Sequence, residues 1–391
     1  MPTEFISMTP PNASNELHPS PARPSTRPTW CGTPRRWTTT ASTTPLIPYA
    51  SGYFDPFAIG ATIAAATKHI KVVIALRPNT MFPTTAAKQL ATLDQLSGGR
   101  AVVHFIAGGS DVEQAREGDF LSKAERYERL DEYIRILKRG WASADPFDWE
   151  GKHYTFKGWS NQVRPANDRS IPISVGGSSD EAYRVGGSLA DIFGLWGEPL
   201  KETREQIDRI YAEADKAGRP ASERPRIWVT FRPIVAETEE LAWAKAHRTL
   251  EALDKGQGAA TRPFSFGGNK GESPQNVGSQ RLLEIAKRGE VQDRALWYPT
   301  VTATGARGAS TALVGSYDVV AESILDYVDL GCELISIRGY DNFNDAVDYG
   351  RYILPRVYEG IRQREEEKKE KKEKAGDGGQ NGRNGAAETA A

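Results

Sequence analysis

Cysteine is nearly absent from this chain: Cys31 and Cys332 are the only two in 391 residues, far apart and in unrelated contexts. That excludes a disulfide framework and a cysteine cluster for a metal, and it suits a reducing interior. A surplus of either charge is missing as well. The 50 Lys and Arg stand against 51 Asp and Glu, a formal net charge of -1, so no global field gathers nucleic acid or an anionic membrane surface. No apolar run approaches the roughly 18 residues of a bilayer-spanning helix, and the N-terminus shows no basic stretch followed by an apolar core. The expectation is a soluble, cytoplasmic protein with neither nucleic acid nor membrane as partner. At this length one large α/β domain is enough, and two are not required.

What is present is clearest between Val72 and Asp111. The run Ile70 to Leu76 is continuously apolar and β-branched, as in a strand buried on both faces, and Arg77-Pro78 ends it. From Pro83 the residues Ala86, Ala87, Leu90, Leu93 and Leu96 recur at helical spacing. Ser97-Gly98-Gly99 then supplies the left-handed stop that a helix C-terminus favours. A second strand, Ala101 to Ala107, runs into the polar turn Gly108-Gly109-Ser110-Asp111. Ligands in α/β proteins sit where strands end at their carboxyl side, which makes this turn, and Asp111 in it, a candidate for chemistry.

The same reading yields eight candidate strands: Glu4 to Met8, Pro45 to Tyr49, Ile70 to Leu76, Ala101 to Ala107, Ile171 to Val175, Asp191 to Trp196, Arg226 to Val235 and Glu333 to Arg338. Helical patterns alternate with them at Pro56 to Lys68, Lys123 to Ala142, Ser179 to Ser188, Leu200 to Ala217, Glu239 to Leu253, Asp318 to Leu330 and Phe343 to Gln363. Alternation implies a parallel sheet, and eight units favour closure into a (β/α)8 TIM barrel over an open doubly wound sheet. The barrel domain is expected over 1–363.

Two segments break the pattern. Residues 19–44 should hold the first barrel helix, yet they are dense in Pro, Arg, Thr and Trp and carry no apolar stripe. They read as an unstructured stretch with the first helix absent: a long flexible loop, or a frame-shifted or mis-spliced segment. Residues 255–311 form an insertion before the last strand, rich in glycine at its start, with the character of a mobile lid. Beyond Gln363 a charge run reads as a solvated helix end fading into a disordered tail over 364–391.

Two elements suggest an anion site. Gly176-Gly177-Ser178-Ser179-Asp180 lies between the fifth strand and its helix, where glycines let a ligand approach the backbone and the helix N-terminus favours negative charge. Such a turn also serves simply to cap a helix. Lys123 and Tyr127 stand at i and i+4 of a helix, so an ammonium and a hydroxyl can address one anion together; the alternative is a solvated lysine beside a packed tyrosine.

The phrases ALRPNTMFPTTAAKQLATLDQLSGGRAV, FLSKAERYERLDEY, ISVGGSSDEA, LWGEPLKETREQID, STALVG and RGYDNFNDAVDYGRYILP run in order from Leu46 to about Val357. Through them the chain resembles the bacterial-luciferase-like flavin monooxygenases, and within these it is most similar to the alkanesulfonate monooxygenases. The resemblance implies a barrel that takes reduced FMN (FMNH2) from a separate NAD(P)H-dependent flavin reductase, uses molecular oxygen as co-substrate and oxygenates a small substrate. It also implies association into a homo-oligomer.

It further implies roles for residues. Gly176, Gly177, Ser178 and Ser179 match the turn that holds the FMN phosphate, with Lys123, where the family commonly has histidine, and Tyr127 beside it. His104 matches a polar position facing the flavin, although a lone strand histidine is more often a core residue. Trp196 matches an aromatic position at the active-site mouth. Tyr340 matches a tyrosine after the last strand, and Arg307 approximates an arginine on the mobile insertion.

The chain departs from the alkanesulfonate pattern at Tyr53 in place of cysteine, Arg232 in place of histidine and Thr230 in place of arginine. Arg232 cannot titrate near neutrality but can pair with a sulfonate or stabilise developing negative charge. Tyr53 can donate a hydrogen bond and is a poor base. The leading expectation is an FMNH2-dependent monooxygenase that converts an alkanesulfonate to aldehyde and sulfite. Two others stand beside it: the same fold acting on a sulfone, alkane or aldehyde or using a deazaflavin, and an inactive flavin-binding or damaged product.

Overall fold

A computed structural model of the chain describes residues 3–8, 43–166, 170–256, 274–306, 308 and 310–377. All eight expected strands are there, and they close on themselves. We label them β1 (Glu4–Met8), β2 (Thr43–Ile47), β3 (Val72–Leu76), β4 (Ala101–Phe105), β5 (Ile173–Gly176), β6 (Ile192–Trp196), β7 (Arg226–Ala236) and β8 (Cys332–Ile337). Each pairs in parallel with the next, and β1 pairs with β8, so this ring has no edge. The (β/α)8 TIM barrel follows directly from those pairings.

Strand alternation sorts the side chains into two sets. Phe5, Val72, Ile74, Val103, Phe105, Val175, Phe193, Val229 and Ile335 point outward and join one large core with the surrounding helices. Ile6, Val73, Val102, Ile192, Trp228 and Leu334 point inward and form a separate layer on the barrel axis, with Leu46 packed against it. Glu4 seals the end below that layer through ion pairs to Lys71 at 2.6 Å and Arg226 at 2.9 Å. At the opposite end the inward residues His104, Ile106, Gly176, Gly194, Trp196, Thr230 and Arg338 all keep accessible surface. The barrel is therefore filled at its amino end and hollow at its carboxyl end.

The Val72–Asp111 unit forms as its sequence specifies. Its helix spans Pro83–Ser97, and Gly98 ends it at φ 71°, taking bonds back to Asp94 and Gln95. Three features depart from the expectations. A two-stranded hairpin, Phe147–Glu150 with Thr155–Trp159, stands between the helix Lys123–Ala142 and β5. The insertion contains described structure, a helix at Val277–Ala286, a short hairpin and a turn of helix at Pro299–Thr304, and just after it a strand at Ala312–Ser316 pairs in parallel with the outer half of β7. The closing helix Leu354–Asp377 continues well past residue 364, because its charge run offers opposite charges at helical spacing rather than a single repelling sign. Residues 9–42, most of the aberrant stretch, lie outside the described residues, as do 257–273 and 378–391. No described helix is long and apolar enough to cross a membrane.

Candidate active site

The turn after β5 has the geometry of an anion cradle. Gly177 sits at φ 144°, and a Cβ there would come within 2.9 Å of Ala182 Cβ and 3.1 Å of the Tyr127 hydroxyl. Only glycine fits that close approach. Ser179 caps the helix Asp180–Leu189, its Oγ accepting from the Ala182 N–H at 3.3 Å. The Tyr127 ring is 7 % exposed, its hydroxyl is hydrogen-bonded with Ser179, and burial pushes its pKa up to about 12. It stays a neutral donor at physiological pH.

The helix that carries Tyr127 begins with a reciprocal capping box between Ser122 and Glu125, which fixes its first turn. From that turn Lys123 reaches across to Glu181 at 3.1 Å. Lys123, Tyr127, Gly176, Gly177, Ser178 and Ser179 thus lie together at one corner. Glu181 lies there too and shares the lysine.

His104 lies deeper, on the inner face of β4. Its Nδ1 is 2.9 Å from Ser174 Oγ, and its ring meets Trp228 edge to face at 5.2 Å. Burial pulls its pKa down to about 4, so the imidazole is neutral at pH 7. The ring lies close against Gly176 of β5, where a Cβ would stand 3.3 Å from it. Trp196 ends β6 at the rim of the hollow, its ring beneath Gly278 of the insertion, where a Cβ would come within 3.0 Å.

The β7–β8 side is built differently. Arg232 is 2 % exposed; its guanidinium stacks 3.7 Å above the Tyr340 ring and donates to the Gly339 carbonyl at 3.0 Å. Tyr340 is also 2 % exposed. Arg232 therefore holds the turn that bears Tyr340 and presents almost no open face to the hollow. Thr230, one step down β7, is the residue that faces the hollow. Tyr53 lies half-buried in the loop after β2, its N–H on the Ala50 carbonyl at 3.0 Å. Asp111 stands at the rim, exposed, paired with Arg126 at 2.9 Å. Arg307 lies outside the described residues.

With this geometry in view, comparison with known proteins is decisive about family. Residues 35–334 match the model of the luciferase-like monooxygenase family. The chain belongs to that family. Solved structures share the fold at low identity. A riboflavin lyase, solved with modified FMN and riboflavin, is 18 % identical with a TM-score of 0.73, over 92 % of each chain. An EDTA monooxygenase from Chelativorans sp. BNC1 is 16 % identical at 0.70, over 92 % of this chain and 94 % of its own. A long-chain alkane monooxygenase is 16 % identical at 0.70, over 92 % of each. Their substrates differ widely on one luciferase-like scaffold.

Two groups at the mouth of this luciferase-like barrel escaped the sequence reading. Arg77, 1 % exposed at the end of β3, pairs with Glu113 at 3.2 Å and Glu117 at 2.9 Å. Tyr49 bonds to Glu117, and Glu113 takes both the N–H and the hydroxyl of Ser51. This network ties the loop that carries Tyr53 to the turn that carries Asp111. The second group fastens the insertion. Arg281 meets Glu198, 1 % exposed, in a two-bond pair at 2.8 and 2.6 Å, and Gln275 exchanges two hydrogen bonds with Asp111. Burial raises the Glu198 pKa, against the pull of Arg281. The available signal was charge on otherwise apolar strand ends and on a glycine-rich insertion, but partners 36 and 83 residues apart leave no local pattern.

Proposed function

We propose that the chain is the oxygenase component of a two-component system that uses FMNH2 supplied by a separate reductase. The observation that carries this reading is the cradle at Gly177. A left-handed glycine, a buried neutral tyrosine hydroxyl, serines and a helix N-terminus surround the mouth of a hollow lined by Trp196, Ile106 and His104. These groups fit FMN: the turn and Tyr127 would hold its phosphate, and the hollow would take its ring. When bound, the reduced flavin supplies the electrons that activate molecular oxygen. The protein's own contribution is to hold it, keep His104 neutral and exclude water behind the fastened insertion.

For substrate we infer a small organosulfur compound, with an alkanesulfonate first. The sulfonate, oxygen and FMNH2 would give an aldehyde, bisulfite, FMN and water, which balances. A second reading keeps the chemistry and changes the substrate; it is favoured by the burial of Arg232, which removes the most obvious partner for a sulfonate. Incubation with a flavin reductase and a panel of sulfonates, sulfones, alkanes and aldehydes separates the two. Sulfite release from a sulfonate supports the first reading; oxygenation of another class without sulfite supports the second. Absence of FMN binding would remove both.

A further inference from the structure

Gly194 lies in the middle of β6, inside the barrel, directly opposite Gly176 of β5 in the parallel register. A glycine inside a strand weakens it and usually marks a bulge, a bend or the close approach of something to the backbone. No bulge interrupts this pairing, and the fold itself leaves room. A Cβ at Gly194 would find Trp228 at 3.6 Å, His104 at 3.7 Å and Gly176 Cα at 3.8 Å, all ordinary contacts. Its φ lies outside the left-handed range. Alanine would fit without strain, so packing does not account for the missing side chain.

What remains is the accessible face of Gly194, which looks into the hollow. Trp196 stands two residues further along the same face, and Thr230 is its neighbour on β7. The two facing glycines leave bare backbone bordered by the His104 ring and the Trp196 indole, a surface on which a flat ligand can lie. We propose that Gly194 is a seat for the planar ring of the flavin, its missing side chain setting how deeply that ring enters the barrel. This rests on the FMN reading above, and it adds a contact made by the backbone of β6, away from the phosphate turn.

The test measures FMN binding by fluorescence quenching for the parent, Gly194→Ala and Gly52→Ala, the last a glycine with nothing near its Cβ position. Thermal unfolding of the flavin-free proteins is followed in parallel. The seat predicts that Gly194→Ala loses about tenfold in FMN affinity, while its flavin-free melting temperature is unchanged or higher and Gly52→Ala binds as the parent does. Equal FMN affinity in parent and Gly194→Ala overturns the seat and leaves the FMN reading standing. A lower melting temperature for Gly194→Ala also overturns it, by showing that packing required glycine. A parent that binds no FMN overturns the reading and the seat together.

Discussion

The two sides of the barrel mouth are made of different material. On the β5–β6 side, glycine backbone, a helix N-terminus and partly accessible side chains face the hollow. On the β7–β8 side, Arg232 and Tyr340 are buried and stacked on each other, and Tyr349 reaches the Pro233 carbonyl behind them. The first side offers backbone and partly accessible groups to a ligand. The second is set before any ligand arrives, so its groups are held in one arrangement with small freedom to move. On the function proposed above, the first side would take the cofactor and the second would border the substrate.

The largest effect that could break this contrast is expected at Arg232. Arg232→Met removes a charged hydrogen bond to the Gly339 carbonyl and a buried cation–π contact. Together these contribute about 3 kcal/mol, to be read as a lowered urea midpoint. Arg232→Lys keeps the charge but not the planar stack, and should restore less than half of that. Were Arg232→Met within about 0.5 kcal/mol of the parent, the β7–β8 wall would not be prepacked and the contrast would fall.

A smaller effect belongs to the other side. Gly177→Ala forces a side chain into φ 144° and to within 2.9 Å of Ala182. Its stability cost is about 2 kcal/mol, and FMN affinity should fall with it by tenfold or more. Unchanged FMN affinity would mean that this turn only caps its helix, the bland alternative open to any such sequence.

How much of this was legible from residues follows from distance along the chain. The barrel was legible because strand and helix periodicity is local, and Gly98 ends its helix just where Ser97-Gly98-Gly99 stands. The cradle was legible because Lys123 with Tyr127, and Gly176 with Ser179, each lie within one helical turn or one loop. The Arg77–Glu113–Glu117 network and the Glu198–Arg281 clasp were not, because nothing local distinguishes a buried charge from a solvated one. Arg232 was visible as a departure, but its burial was not: the neighbour that stacks on it lies 108 residues later. The strand Ala312–Ser316 was missed for a related reason, since its partner is the outer half of β7, beyond the barrel ring.

A third prediction concerns the floor between the two sides. The fold lowers the His104 pKa to about 4 from an ordinary value near 6.5. The folded state thus binds a proton less readily than the unfolded chain does. Its stability contribution is present above pH 6.5 and is lost as pH falls toward 4. Between pH 7 and 4.5 the loss is about 1.5 kcal/mol, allowing for the surface that His104 keeps. His104→Asn should flatten that part of the stability profile relative to the parent. A parallel profile in the variant would show that the imidazole is solvated and titrates freely, which would place the hollow's floor with the β5–β6 side.

The smallest effect lies at Lys123, where the contrast can be sharpened most cleanly. Lys123 and Glu181 are both about one-third exposed, 38 % and 35 %, so their pair adds little to stability, under about 0.5 kcal/mol. For an anionic phosphate the two residues pull in opposite directions. Lys123→Met should weaken FMN binding by about two- to fivefold, and the loss should fade at high salt as screened charges do. Glu181→Gln removes the competing carboxylate and releases the lysine, so it should strengthen binding by a similar factor, again with little change in melting temperature. Opposite signs in affinity with equal stabilities would place Lys123 on the phosphate. Parental affinity in both variants would reduce the pair to a surface contact and leave the cradle to Gly177, Ser179 and Tyr127 alone.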